Sequence, residues 1–583
     1  MLKRFLFTLV CAAALRAQAP PIPALVRAIR AEAAPTPAME NMRRIWETDR
    51  WFTFPKFQQT AAHVAEMMRQ AGLEDVEIVS PPADGVTQYG YWTMPLAWDV
   101  KQATLEIVEP RVSADQRFLA DYQKIPASLG MWSGPTPPEG VTAEVVAASG
   151  PIDKLDVKGK IVLTDHNPAG IKWLLAKKGA LGAINDFTEN RDLLDGRQWI
   201  NAWGDNGWAF TKGSAPLFCF SLSPRESAFL RKLLAQGPVR VRALVDSRYY
   251  AGVYPYTTGV LRGAGGGEEV LTLGHTSEQG ANDNATGVSA MIGAAATLHG
   301  LIASGKLPRP RRTIRILAMG ECYGSMPYLT ANAERVKRTV AAMCVDTPAA
   351  SYRLAGTEYT WSLSPGAASP YTDALILRLA NEYFPLVKRP WHSQPYTSGT
   401  DNYLGDPLIG IPTEWPYSGT GVHTHHNSED RPETVDPNSL RDLIVMDATY
   451  LYYIAAAGPA QARTIAQLAL TRGYQETAAA PAAALEQIAA AGDAAALGQA
   501  LYEGREQIDY ALGRAQHAVR SAARLAPIGD LSAPLAGFAA EQKSRVERAV
   551  QAGARELGLG EIHPLAPPPD PEAARIIVRR KRL

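Results

Sequence analysis

The spacing of apolar residues divides this chain of 583 residues into regions of different character. In the first region, apolar positions recur every three or four residues after position 56, a spacing that predicts an amphipathic helix. The apolar residues on that face are Ala61, Val64, Met67 and Met68. Gly72 ends the pattern, and a strand-like run follows it. We assign residues 20–100 to the N-terminal part of the main domain.

The spacing changes twice more along the chain. Residues 101–247 contain short β-type runs separated by turns, which predicts an inserted β-rich domain. From 248 to 457, strand-like runs such as EVLTLGH and RTIRILAMGE alternate with helical segments. This alternation predicts an α/β fold with a mixed, largely parallel sheet flanked by helices. Residues 458–583 are rich in alanine and charged residues and predict a helical C-terminal region.

The first 19 residues have the three parts of a secretory signal peptide. Lys3 and Arg4 precede an apolar run over residues 5–15, and Ala17-Gln18-Ala19 supplies a small-residue cleavage pattern. The apolar run is too short for a permanent membrane anchor. We therefore expect an exported protein, periplasmic or extracellular, without stable membrane insertion.

Composition excludes some partners and leaves one redox question open. The net charge of +1 gives no general attraction for nucleic acid, and we expect none to bind. The mature chain would keep three cysteines, Cys219, Cys322 and Cys344. Three cysteines in so long a chain do not make a disulfide framework, although a single bridge or none is compatible with them.

Residues with metal-binding chemistry follow the predicted strands of the α/β region. His275, Glu321 and Asp346 each come just after such a strand, and Asp283 lies in the loop after His275. Functional groups of α/β sheets collect at the carboxyl ends of strands, and imidazole and carboxylate groups are the ligands that zinc prefers there. Each residue has an ordinary structural explanation alone, since Asp283, for example, is well placed to cap a helix. Their occurrence together favours a metal site.

A cluster of three histidines supplies a further ligand. The segment HTHHNSEDRPETVDP contains His423, His425 and His426. The spacing to Asp430 favours His426 as the ligand. In an extended segment His425 would face away from it, because neighbouring side chains alternate between faces.

Two motifs resemble those of the secreted zinc aminopeptidases that use two co-catalytic metals, a group that includes glutamate-carboxypeptidase-like and transferrin-receptor-like ectodomains. The loop GANDNATG, residues 280–287, is similar to the family's GAxDNASG. The segment HNSEDRPETVDP, residues 426–437, is similar to its HTxxDTPExVDP. The resemblance covers about residues 250–457, and more loosely 38–100. Residues 145–190 resemble the protease-associated insert that such exported enzymes often carry.

The resemblance implies a set of zinc ligands and a reaction. One of two zinc ions would be held by His275 and Asp346, the other by Glu321 and His426, and Asp283 would bridge both. The bridged pair would activate a water that attacks a peptide bond next to a free amino terminus. The implied enzyme is an exported zinc aminopeptidase with peptides as its substrates.

The chain departs from the family pattern at two positions. The family has a pair of glutamates, a general base and then a ligand, where this chain has Gly320 and Glu321. Glu321 is therefore open to either role, catalytic base or ligand, and Glu278 is a second candidate for the base. The family also has His-x-Asp where this chain has His275 followed by Thr276 and Ser277, so a hydrogen-bond partner of the imidazole is missing.

Two other functions stay open at the level of sequence. The missing glutamate is compatible with a metal-holding scaffold of the same fold and weakened catalysis. A carboxypeptidase or amidohydrolase acting on modified peptides would keep the fold and change the substrate. The sequence leaves the oligomeric state and the preferred residue undetermined.

Overall fold

A computed structural model describes residues 19–148, 151–204, 209–214, 216–347, 349–351, 358–418, 423–567 and 572. All but the last residue of the predicted signal peptide lie outside the described residues. The helices are α1 (Ile22–Glu32), α2 (Pro35–Asp49), α3 (Phe54–Gln70), α4 (Lys172–Lys177), α5 (Pro224–Gln236), α6 (Ala285–Ala303), α7 (Ser325–Ala331), α8 (Ala333–Val336), α9 (Tyr371–Val387), α10 (Pro437–Ala456), α11 (Pro459–Ala479), α12 (Ala482–Ala490), α13 (Ala494–Ser521) and α14 (Ala533–Glu556).

The strands form two large sheets and two small ones. They are β1 (Glu74–Val79), β2 (Pro82–Ala83), β3 (Gln88–Tyr89), β4 (Trp92–Thr93), β5 (Ala97–Glu109), β6 (Phe118–Asp121), β7 (Val141–Ala147), β8 (Ile161–Thr164), β9 (Gly182–Asn185), β10 (Phe218–Ser221), β11 (Arg240–Tyr250), β12 (Gly252–Val253), β13 (Tyr256–Leu261), β14 (Glu269–Thr276), β15 (Thr313–Gly320), β16 (Thr339–Cys344), β17 (Tyr359–Ser362), β18 (Trp391–Gln394) and β19 (Thr413–Tyr417). Short 3₁₀ turns occupy Pro126–Ser128, Ile152–Lys154, Pro168–Ile171, Asp401–Gly405, Pro432–Thr434 and Ala522–Arg524.

The larger sheet has eight strands in the order β1-β13-β15-β14-β16-β19-β17-β18. Its four central strands, β15, β14, β16 and β19, run parallel to one another. Antiparallel pairs join this centre to the strands on either side. Strands β14 and β16 are fully buried, as expected of strands covered by helices on both faces. The predicted fold class, a mixed α/β sheet flanked by helices with further helices at the C-terminus, is confirmed.

Helix α6 is the central helix beneath this sheet. It is long and apolar enough to cross a membrane by composition, but 72% of that stretch is buried inside the protein. It packs against α2 and α10, and its apolar side chains belong to the largest hydrophobic core. Helix α6 therefore acts as a core helix that fixes the loop just before it.

The second sheet is built from residues that interrupt the first. Its seven strands run in the order β10-β9-β8-β7-β11-β5-β6, so the chain leaves the larger sheet after β1 and returns to it at β13. Strands β7 to β10 are mutually parallel, and β5 and β11 form a long antiparallel pair. The predicted domain boundaries stay predictions.

The C-terminal helices are attached to the larger sheet's helical layer. Helix α11 packs against α9, and α13 and α14 pack against α11. The buried guanidinium of Arg312 donates hydrogen bonds to the carbonyl oxygens of Ala457 and Leu525, at 2.9 and 2.6 Å. A buried guanidinium needs hydrogen-bond acceptors for its N–H groups. Arg312, directly before β15, therefore holds the chain beyond α10 against the larger sheet.

Candidate metal centre

Three adjacent parallel strands bring His275, Glu321 and Asp346 to one edge of the larger sheet. Strand β14 pairs with β15 on one side and β16 on the other, and Thr276 lies opposite Gly320. His275 therefore sits one strand spacing from the residues that follow the two neighbouring strands. The Nε2 atom of His275 is 3.1 Å from Oδ1 of Asp346.

Asp283 lies between two imidazoles and turns a different oxygen to each. Its Oδ1 is 3.5 Å from Nε2 of His275, and its Oδ2 is 3.1 Å from Nε2 of His426. The helix cap that sequence allowed for Asp283 is supplied by Asn284, whose side chain accepts from the amide of Gly287. Asp283 is thus left free to join the two imidazoles, which is the geometry of a bridging carboxylate.

Asp430 fixes the loop that carries Asp283. The two carboxylate oxygens of Asp430 accept hydrogen bonds from the backbone amides of Asn282 and Asp283, at 2.8 and 2.9 Å. A side chain at Gly280 would put a Cβ 2.1 Å from Oδ2 of Asp430, so only glycine fits this close approach. Asp430 is therefore a positioning residue that sequence reasoning used only as a spacing marker.

The two asparagines of the loop tie it to the segment that carries Asp346. Asn284 donates to the carbonyl oxygen of Val345 at 2.8 Å, and Asn282 accepts from the amide of Ala349 at 3.0 Å. These bonds fix the bridging residue relative to Asp346 across the gap between two strand ends.

His425 differs from its expected orientation. Its ring stacks on that of His426 at 3.9 Å, and His425, His426 and Asp283 all present ligand atoms within 4.8 Å of one another. The alternation argument fails because the segment turns here, and His426 itself has a φ of 48°. His425 also bonds Glu189 at 2.7 Å. Although burial lowers its pKa, this carboxylate and Asp283 raise it to about 9.

The structure places Glu278, the second candidate for the base, close to the second imidazole. Oε2 of Glu278 is 3.9 Å from Nε2 of His426, whereas Glu321 makes no ion-pair contact with His426 among the described residues. Burial, and then the charge of Asp283, raise the pKa of Glu278 well above its usual value. Burial also raises the pKa of Glu321 to about 8, with Asp346 adding to the shift against the opposing charge of His275.

Both glutamates open into the same small pocket beside the centre. The pocket has a volume of about 30 Å³, enough for a few atoms. Its walls come from six segments that are separate in sequence. The lining residues are Phe52, Met131, Trp132, Asn201, Tyr254, Ser277, Glu278, Glu321 and Tyr323. Sequence analysis singled out Ser277, Glu278 and Glu321 but missed the other walls, because no local pattern connects those to the metal motifs.

The packing of a neighbouring ring explains why position 320 is a glycine. A Cβ at this position would lie 2.5 Å from the ring of Tyr254. That ring is stacked between Phe57 and Tyr323, at centroid distances of 5.4 Å on both sides. The place where the family pattern has a glutamate side chain is thus filled by a phenol ring in this chain.

The loop between β9 and β10 of the insert contacts the loop that carries His426. The amide of Trp199 donates to the carbonyl oxygen of His426 at 2.7 Å, and the indole stacks on the imidazole at 5.1 Å. The side chain of Asn190 donates to the carbonyl oxygen of His423 at 3.0 Å. His423 therefore packs against the insert, and His426 is positioned from the insert side.

The donor set fits a pair of divalent cations. Five buried or nearly buried carboxylates lie together, and among the residues that the structure describes none of them pairs with lysine or arginine. They are Glu278, Asp283, Glu321, Asp346 and Asp401. Burial alone would raise the pKa of Asp283, but the hydrogen bond and charge of His426 lower it instead. Such a concentration of oxygen and nitrogen donors with imidazoles as its main counter-charges suits zinc.

The chain resembles known proteins in sequence over part of its length and in fold. Residues 257–450 match Peptidase family M28. Among solved structures, the chain is similar to BSAP, a zinc aminopeptidase from Bacillus subtilis, with 18% identity, a TM-score of 0.51, and coverage of 72% of this chain and 95% of that one. It is also similar to a peptidase M28 precursor from Shewanella amazonensis, with 15% identity, a TM-score of 0.50, and coverage of 73% and 96%. At these identities the likeness concerns the fold. A comparison with curated proteins gave no match.

Proposed function

We propose that this chain, whose residues 257–450 match Peptidase family M28, is a zinc-dependent aminopeptidase that would hold two zinc ions with Asp283 shared between them. The observation that carries the proposal is the division of the Asp283 carboxylate between the Nε2 atoms of His275 and His426. When bound, zinc supplies Lewis-acid polarisation of the scissile carbonyl and lowers the pKa of water.

Residues of the chain hold the two ions and transfer the proton. His275 and Asp346 hold the first ion, because their ligand atoms and Asp283 already lie within 4.8 Å of one another. His426 holds the second with Glu278, the glutamate that contacts it. Glu321 then accepts the proton of the attacking water and returns it to the leaving amine. Such a transfer to and from a positioned carboxylate is general acid–base catalysis.

A free amino terminus is the substrate group that this charge balance favours. Five carboxylates gather at the centre, and two zinc ions bring four positive charges. Carboxylate oxygens of this cluster are also acceptors for the ammonium group of a peptide's first residue. The pocket of about 30 Å³ also ends at aromatic walls, which suits the end of a chain better than its middle.

Two glutamates in one pocket argue against the scaffold alternative. The chain lacks a glutamate at 320, but Glu278 lines the same pocket as Glu321, so two carboxylates are available for the roles of ligand and base. A peptidase with a different arrangement of its two carboxylates accounts for the sequence without a loss of catalysis.

The test counts zinc in purified variants and measures hydrolysis of aminoacyl anilides with and without chelator. We expect two zinc ions and chelator-sensitive activity in the wild type, and no hydrolysis of N-acetylated analogues. Asp283→Ala should lose both ions, and Asp346→Ala and Glu278→Gln mainly one each. Glu321→Gln should keep two ions and lose activity by about 100- to 10,000-fold.

Asp493→Ala is the matched control, because Asp493 caps helix α13 far from the centre. It should keep both ions and full activity. Equal zinc loss in Asp283→Ala and Asp346→Ala would contradict the bridge. Tight zinc binding without hydrolysis of any peptide would favour the scaffold, and cleavage of acetylated peptides from their carboxyl end would favour the carboxypeptidase.

We propose further that the chain is exported and that the seven-stranded unit is an insert of the protease-associated type. The signal-like residues 1–19 support export. Amino-terminal sequencing of the secreted or periplasmic protein should find a chain that starts after Ala19. Retention of Met1 in a protein confined to the cytoplasm would refute export.

A further inference from the structure

His275 has one ring nitrogen directed at the metal centre and one without a partner. Its Nε2 faces Asp346 and Asp283, whereas its Nδ1 is buried with no hydrogen-bond partner among the described residues. A histidine that binds a metal normally has its other nitrogen oriented by a carboxylate or carbonyl oxygen. The residue two positions on, Ser277, cannot supply a charge.

A carboxylate from another part of the chain lies close enough to this histidine for the two charges to interact. Asp49, the last residue of helix α2, is 2% exposed. Its Oδ2 accepts the backbone amide of Ser277 at 2.8 Å, and its Oδ1 accepts the hydroxyl of Thr60 at 2.5 Å. Asp49 is thus fixed to the turn that follows His275, with one oxygen held by helix α3.

The surroundings of Asp49 contain no ordinary counter-charge. No lysine or arginine pairs with it in the part of the chain that the structure describes, and the cationic group that acts on it is His275. A buried carboxylate is costly in its charged form, and burial raises the pKa of Asp49 to about 7, so a positive charge close by would favour its ionised form. An imidazole bound to zinc through Nε2 provides that charge, with its Nδ1 proton on the side away from the metal.

We propose that Asp49 is the positioning residue of His275. From the end of helix α2, it takes the place of the carboxylate that is missing at Ser277, in the loop after His275. The inference rests on the proposed zinc centre. It makes the N-terminal helices part of the site, because α2 provides the charge and α3 orients it through Thr60. Asp49 does not touch substrate and acts only through the imidazole.

The experiment measures zinc affinity by competition with a chromophoric chelator, together with the melting temperature of the zinc-free protein. Asp49→Asn keeps both hydrogen bonds, since its amide can donate to Thr60 and its oxygen can accept from Ser277, but it removes the charge. We expect zinc to bind about 10- to 100-fold more weakly, with the zinc-free protein at least as stable as wild type. An unchanged zinc affinity would overturn the inference.

Asp447→Asn is the matched control. Asp447 is likewise buried and bonded to a threonine hydroxyl, that of Thr272, but has no histidine near its carboxylate. Its zinc affinity should equal that of the wild type.

A rescue variant separates positioning from folding. Ser277→Asp returns a carboxylate to the loop, and aspartate tolerates the left-handed conformation found there, with a φ of 68°. Combined with Asp49→Asn, it should restore most of the lost zinc affinity. If Asp49→Asn weakens both zinc binding and the zinc-free fold and the double variant restores neither, Asp49 is structural and the inference fails. A wild type that binds no zinc would instead refute the proposed centre.

Discussion

At the scale of the residue, position 320 shows how a departure from a motif is matched by the packing around it. Tyr254 is buried and stacked on both faces, so its ring cannot move aside for a side chain at 320. Glu278, three residues after His275, also lines the pocket next to Tyr254. The substitution of glycine for glutamate is thus coupled to an aromatic ring, and both changes have to be considered together.

Gly320→Ala should destabilise the zinc-free protein by about 1–3 kcal/mol, because the added methyl group overlaps the Tyr254 ring in a packed core. Thermal or denaturant unfolding measures the loss. Truncation of the ring by Tyr254→Ala should remove most of the additional cost of Gly320→Ala in the double variant.

Gly265→Ala is the control for that pair, because a Cβ at Gly265 meets nothing within 4 Å. It should change the stability by less than about 0.5 kcal/mol. Equal losses at 265 and 320, or a cost at 320 that persists without the ring, would show that the steric explanation is wrong.

At the scale of the element, the insert is a structural partner of the loop that carries His425 and His426. Its segment 197–199 pairs with the chain after His426, where the amide of Ser428 donates to the carbonyl oxygen of Arg197 at 2.8 Å. Glu189 adds a carboxylate that bonds His425. These contacts explain how a turn with a left-handed residue at its centre keeps one geometry.

Trp199→Leu should weaken zinc binding mainly at the His426 half of the centre, by about tenfold, because it removes the ring stacked on the imidazole. Titration with limiting zinc should then show one tight site and one weakened site. Trp199→Phe keeps an aromatic face and should remain close to wild type.

Trp173→Ala provides a comparison within the same insert, since Trp173 is 64% exposed and distant from the metal loop in the chain. It should leave both zinc affinities unchanged. If Trp173→Ala and Trp199→Leu weaken binding equally, or if Trp199→Leu affects only the His275 half, the proposed contact does not carry the effect.

At the scale of the whole molecule, the sequence predicted those features that depend on local spacing. Strand and helix alternation predicted the α/β sheet, and residues at strand ends predicted the meeting of His275, Asp283 and Asp346, because parallel neighbours place their ends side by side. Asp49, Glu189 and the pocket walls could not be predicted this way. Asp49 ends helix α2, Glu189 belongs to the insert, and the pocket walls come from segments between Phe52 and Tyr323, so only tertiary packing brings them together.

The same packing concentrates acidic groups in the interior. Burial raises the pKa of Asp430 to about 7 and that of Asp401 to about 6, beside the shift already described for Glu321. A carboxyl group with a raised pKa keeps its proton in the folded state at a pH where the unfolded chain has released it. Folding stability therefore decreases as pH rises between the unfolded and folded pKa values.

The melting temperature of the zinc-free protein should therefore fall between pH 5 and pH 8, while that of the zinc-loaded protein falls much less. Zinc requires the ionised carboxylates, so its stabilising effect grows with pH as protons are released. For Glu321 the window runs from its ordinary pKa of 4.5 to about 8, and Glu321→Gln, which cannot ionise, should flatten the zinc-free profile over that range. Melting curves at pH 5, 6.5 and 8 with and without chelator provide the measurement. A constant difference between loaded and zinc-free protein at all three values, or an unchanged slope in Glu321→Gln, would mean that these buried carboxylates do not control the stability of the centre.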